Sequence, residues 1–332
     1  MSVRIIGAGG AAELPADVGD TVVTVGTFDG VHCGHRDVVA RLVTRARVSG
    51  RVSLLVTFDP HPLEIINPSA APGVLTTRDE KLILLAKTAL DWVAIVPFTP
   101  ELAQLPAAEF VDSILLGRFR MAELLIGHDH GFGRGREGDI TLLRTLGKER
   151  GFKVDVVSPV LTTDGEPVSS TLVRRALAAG ELERARMLLG RAYSVSGTVV
   201  AGDARGRLLG FPTLNVAMPD SRKLLPPDGV YAVRVEGSRG RFDGMMNLGG
   251  RPTFGDERRS IEVHLFDAAG DFYGDRVDVA FVARLRDTMR FSGPDALVAQ
   301  LRLDADAARS ALTALAESGN LNGSTHLPPS TS

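Results

Sequence analysis

Short apolar runs recur along the first half of the chain: TVVTVG from Thr21, SLLVTF from Ser53, WVAIVPF from Trp92, AELLIG from Ala122 and FKVDVV from Phe152. Between them, DVVARLVTRARV (37–48) and PAAEFVDSILLGRF (106–119) place apolar residues three and four positions apart. Continuous apolar runs of this length suit strands buried on both faces, and the 3.6-residue period suits amphipathic helices. Their alternation predicts βαβ units and hence a mostly parallel, doubly wound α/β sheet from Thr21 to about Lys153. The stretch LILLAKTALDWVAIV (82–96) reads as helix then strand, because Lys87 and Asp91 interrupt it. Two short helical segments follow, STLVRRALAAG (170–180) and LERARMLLG (182–190), with Gly180 and Gly190 as C-terminal stops.

After Gly190 the texture changes. YSVSGTVVAG, GVYAVRVEG, FDGMMNLGG, SIEVHLFD and RVDVAFVARL are β-type runs separated by Gly, Pro and Asp clusters, which predicts a compact antiparallel barrel. One amphipathic helix, about Pro294 to Glu317, closes it, and the polar, Pro-containing remainder reads as a disordered end. The expected organisation is residues 1–188, 189–318 and a tail, 319–332.

Bulk properties narrow the function. A chain of 332 residues suits two domains, each with its own core. With 38 basic against 40 acidic residues there is no electrostatic footprint for extended nucleic-acid binding, so small-molecule substrates are expected. Cys33 is the one cysteine, which excludes an intramolecular disulfide and a thiolate-cluster zinc site. No apolar run reaches the roughly 20 residues of a membrane span, and no secretory signal is read at the N-terminus. A cytoplasmic location without a membrane partner is the expectation, with homo-oligomerisation left open. The Gly-rich IIGAGGAAELP resembles a dinucleotide loop, but Pro15 follows where a helix should begin, so it is set aside.

The segment VVTVGTFDGVHCGHRDVVARLV reads as strand, Gly-containing turn and helix, with His32 and His35 on one face of the first helical turn. A helix start offers unpaired N–H groups and the positive end of a dipole, hence a phosphate site. Two imidazoles add directed donors for charge that builds when an acceptor oxygen attacks the α-phosphorus of a nucleotide. An isolated HxGH could equally be a capping pair, and the preceding strand with Gly26, Phe28, Asp29 and Gly30 tips the reading toward catalysis. In VSSTLVRRAL, Ser169, Ser170 and Thr171 can cap a helix while Arg174 lies one turn on, a group able to hold a pyrophosphate leaving group.

In the second half, AGDARGRLLGFPTLNV sets a Gly-bracketed basic loop, with Gly202, Arg205 and Gly206, before the turn at Gly210. Such a loop can fold over phosphates. Thr213 and Asn215, two apart on an extended segment, can aim neutral oxygens at one magnesium ion bound mainly through phosphates and water. In SIEVHLFD, alternation sends Ile261, Val263 and Leu265 to one face and Glu262 and His264 to the other, which leaves Glu262 free to act as a base toward an attacking alcohol.

These segments resemble, in order, those of the bacterial bifunctional riboflavin kinase/FAD synthetase family, over about Val22 to Ala308. GTFDGVHCGH is similar to the signature of the nucleotidyltransferase half. FDPHP, with Phe58, Pro60 and Pro62, resembles its mobile flavin-side loop. IGHDHGFGRGREGD resembles its IGxDxxFGxxRxG segment, which implies a nucleotide or flavin contact for Asp129 and none for His128. VSSTLVRRAL resembles the motif that meets the ATP phosphates. GFPTLN, PPDGVYAV, NLGGRPTF (with Asn247), IEVHLFD and GDFYG resemble the kinase half, which implies Thr213 and Asn215 at the magnesium–ATP site and Glu262 as base. Leu214 replaces the family's more usual Ala and is expected to be tolerated, pointing away from the two ligands. The resemblance implies transfer of the ATP γ-phosphoryl group to riboflavin in the barrel, adenylylation of FMN to FAD by His32, His35 and Arg174 in the first half, Gly34 in the loop, and Mg2+ in both. Rival readings are a single-activity relative, another HxGH enzyme such as an aminoacyl-tRNA synthetase or a cytidylyltransferase, and a flavin-binding protein without chemistry. The lack of a KMSKS-like loop and of a basic surface counts against the synthetase.

Overall fold

The structure is a computed structural model that describes residues 3–7, 12–127, 133, 135, 137–202, 205–250, 259–268 and 270–321. It divides into two compact units, Met1–Val173 and Arg174–Ser332.

The first unit runs β1 (Arg4–Ile6), β2 (Thr21–Val25), α1 (Cys33–Val48), β3 (Val52–Asp59), α2 (Pro62–Ile66), α3 (Arg78–Ala86), β4 (Trp92–Pro97), α4 (Pro100–Gln104), α5 (Ala107–Phe110), β5 (Met121–Gly127), α6 (Ile140–Arg150), β6 (Lys153–Val157) and the start of α7 (Ser170–Ala178). Its six strands form one sheet in the order β1-β4-β3-β2-β5-β6, and every pair is parallel. All five residues of β2 are buried, as the unbroken apolar run requires of a strand covered on both faces. On one face Val22, Leu55 and Val93 meet Val39, Leu42, Val43 and Ala46 of α1 and Leu85 of α3. On the other, Val23, Leu54, Ala94 and Leu124 meet Phe110, Ile114, Leu143 and Leu146.

Two details differ from the sequence expectation. Ile5 and Ile6 form the edge strand β1 beside β4, and no helix follows it across residues 12–20. The 106–119 stretch is not one regular helix: α5 passes into a wider π-helical turn, Val111–Leu116, which still buries Val111, Ile114 and Leu115.

The second unit holds the rest of α7, then α8 (Leu182–Leu189), β7 (Ser194–Val200), α9 (Arg205–Leu208), β8 (Leu214–Ala217), β9 (Gly229–Gly237), β10 (Gly240–Gly250), β11 (Arg259–Leu265), β12 (Arg276–Arg286) and α10 (Pro294–Leu321). The strands close into a barrel, β10-β11-β8-β7-β12-β9, through antiparallel pairs only. Closure removes the unpaired edges that an open sheet would expose. Inside lie Val195, Tyr231, Val233, Met246, Ile261, Val263, Val279 and Phe281, all at most 4 % exposed. Helix α10 seals the outside with Ala308 and Leu312 against Ala232, Met245 and Phe266. A buried, bidentate Arg286–Asp304 pair, supported by Gln300, fixes its register on β12. The helix extends to Leu321, three residues into the stretch expected to be a disordered tail, because its last turns continue the same helical hydrogen bonding; residues 322–332 lie outside the described residues. Gly180 and Gly190 both take positive φ, as read from sequence. The units divide inside α7, earlier than residue 188, since α8 packs on β12.

Candidate active sites

From β2 the chain crosses by α1 to β3 and onward to one edge of the sheet, while from β5 it crosses by α6 to β6 at the other. The crevice outside the carboxyl ends of β2 and β5 is therefore the topological switch point, where open α/β sheets bind ligands. The Gly26–His32 loop leaves β2 there. Its backbone is strained: Phe28 (φ 48°), Gly30 (φ 82°) and Val31 (φ 41°) all occupy the left-handed region. For bulky and β-branched side chains this costs on the order of 1–3 kcal/mol each, and persists only where neighbours enforce it.

The enforcing contacts come from residues 74–81. Asp29 is 2 % exposed, and its carboxylate accepts from Leu75 N, Thr76 N and Thr76 Oγ1 at 2.9–3.1 Å. Gly30 N donates to Thr76 Oγ1. Ser170 Oγ donates to the Asp29 carbonyl at 2.8 Å, which ties the start of α7 to the same loop, and Ser169 Oγ caps α7 by accepting from Leu172 N. Thr171 is exposed on the first turn and Arg174 follows on the same helix. Gly34 sits where an added methyl carbon would meet the His32 ring and the Val168 carbonyl, each at 3.2 Å. Gly26 similarly lies under the Phe28 ring.

His32 is the N-cap of α1, and its Nδ1 accepts from His35 N at 3.3 Å. In the neutral ring the proton then sits on Nε2, as a donor. Capping and catalysis are thus compatible in one residue. The two imidazoles stack, with centroids 3.6 Å apart and planes 19° apart, and the Phe28 ring lies 4.9 Å from His35. Among the described residues, His35 Nδ1 is buried with no hydrogen-bond partner, a cost of about 1–3 kcal/mol that a packing residue would not sustain without return. Burial, then the His32 ring, then Lys81 hold the His35 pKa well below its ordinary value.

Three of the expected contacts also carry structural roles. Phe28 (3 % exposed) packs beneath the histidines, so its side chain shapes the site from the core. Asp29 spends its carboxylate on the 75–76 backbone and acts as a clamp. Phe58 (8 % exposed) packs against Phe98 and Phe110, leaving Asp59, Pro60, His61 and Pro62 as the half-buried, accessible part of FDPHP. A cavity of about 740 Å³ opens beside it at the carboxyl ends of β3 and β4, lined by Asp59, Arg78, Pro97, Thr99, Ser113 and Arg118. Lys81 was not singled out from the sequence; on α3, fifty-odd residues away, it carries no local motif. Asp129 lies outside the described residues.

In the barrel, register decides the geometry. Glu262 on β11 is directly opposite Asn215 on β8 and opposite Asn247 on β10, so the three side chains form one cross-strand row. Ile261, Val263 and Leu265 are buried while Glu262 and His264 are only half-buried, as alternation required. Leu214 pairs with the core residue Val263 and so projects away from Asn215. Thr213 immediately precedes β8, two residues from Asn215 and on its face. His264 braces the preceding turn: its Nδ1 is 2.8 Å from the Pro212 carbonyl, and its ring lies 5.2 Å from Phe211. Gly202 approaches so closely that an added carbon would fall on the Asn215 amide, and at Gly206 it would strike the Phe211 carbonyl. Gly210 takes φ 80° in the turn. Arg205 begins α9, and its side chain is outside the described residues. A cavity of about 1000 Å³ on the barrel unit, between Arg241, Asp267 and Arg309, is lined by none of the row residues.

Among the described residues no helix is long and apolar enough to cross a membrane, and no cluster of three or more His, Cys, Asp or Glu is arranged for a metal.

The family model for FAD synthetase matches residues 14–172, and that for riboflavin kinase matches residues 189–312. A bifunctional riboflavin kinase/FMN adenylyltransferase of Escherichia coli (strain K12) is 41 % identical over 289 residues, 87 % of this chain and 91 % of that protein. One from Pseudomonas fluorescens is also 41 % identical, over 87 % and 92 %. A solved structure titled as a macrolide-efflux protein from Streptococcus pneumoniae superposes with a TM-score of 0.81 at 30 % identity, covering 93 % of this chain and 99 % of that one. With a switch-point imidazole pair in one unit, a carboxylate–amide row in the other, and relatives matched across both, the chain belongs to the bifunctional riboflavin kinase/FMN adenylyltransferase family.

Proposed function

We propose that the chain phosphorylates riboflavin to FMN with ATP in its barrel (residues 189–318) and adenylylates FMN to FAD, with release of pyrophosphate, in its α/β half (residues 1–188). The observation that carries this reading is the coexistence of two unlike phosphate-handling constellations, each centred in its own unit.

In the kinase half, Glu262 accepts the proton of the riboflavin 5′-hydroxyl as its oxygen attacks the γ-phosphorus and the bond to the β-phosphate oxygen breaks, leaving ADP. Asn215 and Asn247 flank that residue on the neighbouring strands. Thr213 and Asn215 present two neutral oxygens, a donor set suited to Mg2+ that is bound mainly through phosphates, where it would neutralise developing charge. Gly202 and Gly206 bring backbone close to Asn215 and Thr213.

In the adenylyltransferase half, a phosphate oxygen of FMN attacks the α-phosphorus of ATP and the bond to pyrophosphate breaks. The FMN phosphate is already ionised, so no base is needed. His32, through Nε2–H, and His35 donate to the α-phosphoryl oxygens, and Arg174 with the α7 start receives the leaving group. Pro60, Pro62 and the 740 Å³ cavity beside them give room for the flavin ring system. We further expect a cytoplasmic enzyme that binds small molecules and no nucleic acid, with Mg2+ required for both steps.

Chromatographic product analysis tests the assignment. Glu262→Gln should lower FMN formation by about 10²–10⁴-fold while FAD formation from supplied FMN continues. His32→Ala should do the reverse, stalling at FMN. Parent-like kinase rates in the first variant, or undiminished FAD output in the second, would remove the residue concerned.

A further inference from the structure

Lys81 projects from α3 toward the loop that carries the imidazole pair. Its Nζ donates to the Thr27 carbonyl at 2.9 Å and to Thr57 Oγ1 at 3.3 Å, and Thr57 Oγ1 itself donates to the Thr27 carbonyl at 3.0 Å. A lysine that orders its long side chain to hold one loop carbonyl gives up considerable rotamer freedom. The helix bearing it is itself locked, by a Thr77–Glu80 capping box whose Glu80 is 6 % exposed. Residues 75–81 therefore grip the strained loop at three points, Thr27 through Lys81, Asp29 through Leu75 and Thr76, and Gly30 through Thr76.

We propose that Lys81 is a positioning residue of the adenylyl-transfer site, whose ammonium, held on the Thr27 carbonyl, fixes the Thr27–His32 loop and with it the placement of the His32–His35 pair. The inference rests on the histidine roles given above. Among the described residues, the charged groups that bear on His35 are His32 and Lys81 of α3, and those that bear on Lys81 are Asp29 within the loop and Asp59 at the end of β3, itself 3.6 Å from Arg78. Burial lowers the Lys81 pKa first, with Asp29 and Asp59 opposing, and Lys81 in turn disfavours the cationic form of His35. A cation fixed on this loop disfavours protonation of His35, so that ring is a neutral donor at neutral pH. Bound phosphates alone would pull the other way.

The test compares Lys81→Met, which keeps the stem without charge, and Lys81→Arg, which keeps the charge, in the full chain. Adenylylation of FMN with Mg-ATP is followed between pH 5.5 and 8.5, with riboflavin phosphorylation as the internal control. Without the cation the imidazole pKa rises, so the acid limb of kcat must move toward higher pH. A one-unit displacement would give a loss of about tenfold on that limb and a smaller loss at pH 8, with KM for ATP moved less than kcat. Lys81→Arg should retain the parent acid limb. Unmoved limbs in both variants, or equal losses at every pH in both, would overturn the proposal. Should Lys81→Met not fold, Lys81→Gln takes its place: an acid limb displaced to higher pH there supports the idea, and a parent-like limb sinks it. His35→Ala run alongside separates the premises. Parent-like adenylylation there refutes the histidine roles, whereas its loss together with unmoved Lys81 variants refutes only the role of Lys81.

Discussion

Replacing Gly202 by alanine perturbs the kinase site through one carbon atom. The added Cβ would lie 2.7 Å from Asn215 Oδ1 and closer still to the amide carbon and nitrogen, whereas ordinary contact begins at 3.4 Å. Either the amide or the backbone must move by about 1 Å or more. Asn215 is 9 % exposed and directly faces Glu262 across the ladder, so its side chain cannot yield without leaving the position proposed for the metal. If the loop yields instead, its backbone lifts from the phosphates. A displacement of about 1 Å in positioning groups costs about 10²-fold in rate, and overpacking costs about 1–3 kcal/mol in stability. FMN formation from riboflavin and Mg-ATP should therefore fall about a hundredfold, with a raised Mg2+ requirement, while FAD formation from FMN persists. Full kinase activity in a folded Gly202→Ala protein would show that the close approach of Gly202 to Asn215 has no part in the chemistry.

Asp29→Ala leaves Leu75 N, Thr76 N and Thr76 Oγ1 buried without their acceptor; at about 1–3 kcal/mol per orphaned group the first unit should lose several kcal/mol, seen as earlier urea unfolding and loss of FAD formation with FMN formation retained. A loss near zero would mean that the loop does not depend on this clamp. The lowered pKa of His35 carries its own pH signature. The unfolded ring binds a proton near pH 6.5 and the folded one only at lower pH, so the stabilising contribution is complete above about 6.5 and is lost as pH falls from there toward the folded value. Melting of the first unit between pH 7.5 and 5 should drop more steeply in the parent than in His35→Gln, and parallel curves would contradict a buried neutral ring.

Much of the fold was legible because its signals are local. Buried parallel strands need unbroken apolar runs, and Thr21–Val25 has one; a barrel strand needs strict alternation, and Ser260–Leu265 has it. The His32–His35 pair was legible for the same reason, since three-residue spacing at a helix start places two rings together whatever surrounds them. What escaped depends on contacts between distant segments. Nothing near Asp29 says that its carboxylate will be taken up by amides 46 residues on, and nothing near Lys81 says that its ammonium will reach the Thr27 carbonyl. Phe28 and Phe58 look like ligand contacts because they stand in binding motifs, yet side-chain direction, set by the strained turn for one and by strand alternation for the other, sends both into the core. Asn247 could be placed near Glu262 only once the β10–β11 register was known.

A common arrangement follows from these corrections. At each site the groups that carry the proposed chemistry are few: two imidazoles beside the start of α7 at one, and a hydroxyl, two amides and a carboxylate at the other. Their placement is enforced by a second set of residues that makes no claim on substrate. Asp29, Thr76 and Ser170 hold the first loop against backbone strain, while Gly202, Gly206 and the His264–Pro212 contact hold the approach to β8. Such a division explains how Phe28 and Val31 can remain at positive φ: the strain of the loop is met by buried hydrogen bonds in its own unit, not by the ligand. Donors whose placement is fixed by the fold in this way can stabilise a transition state without reorganising.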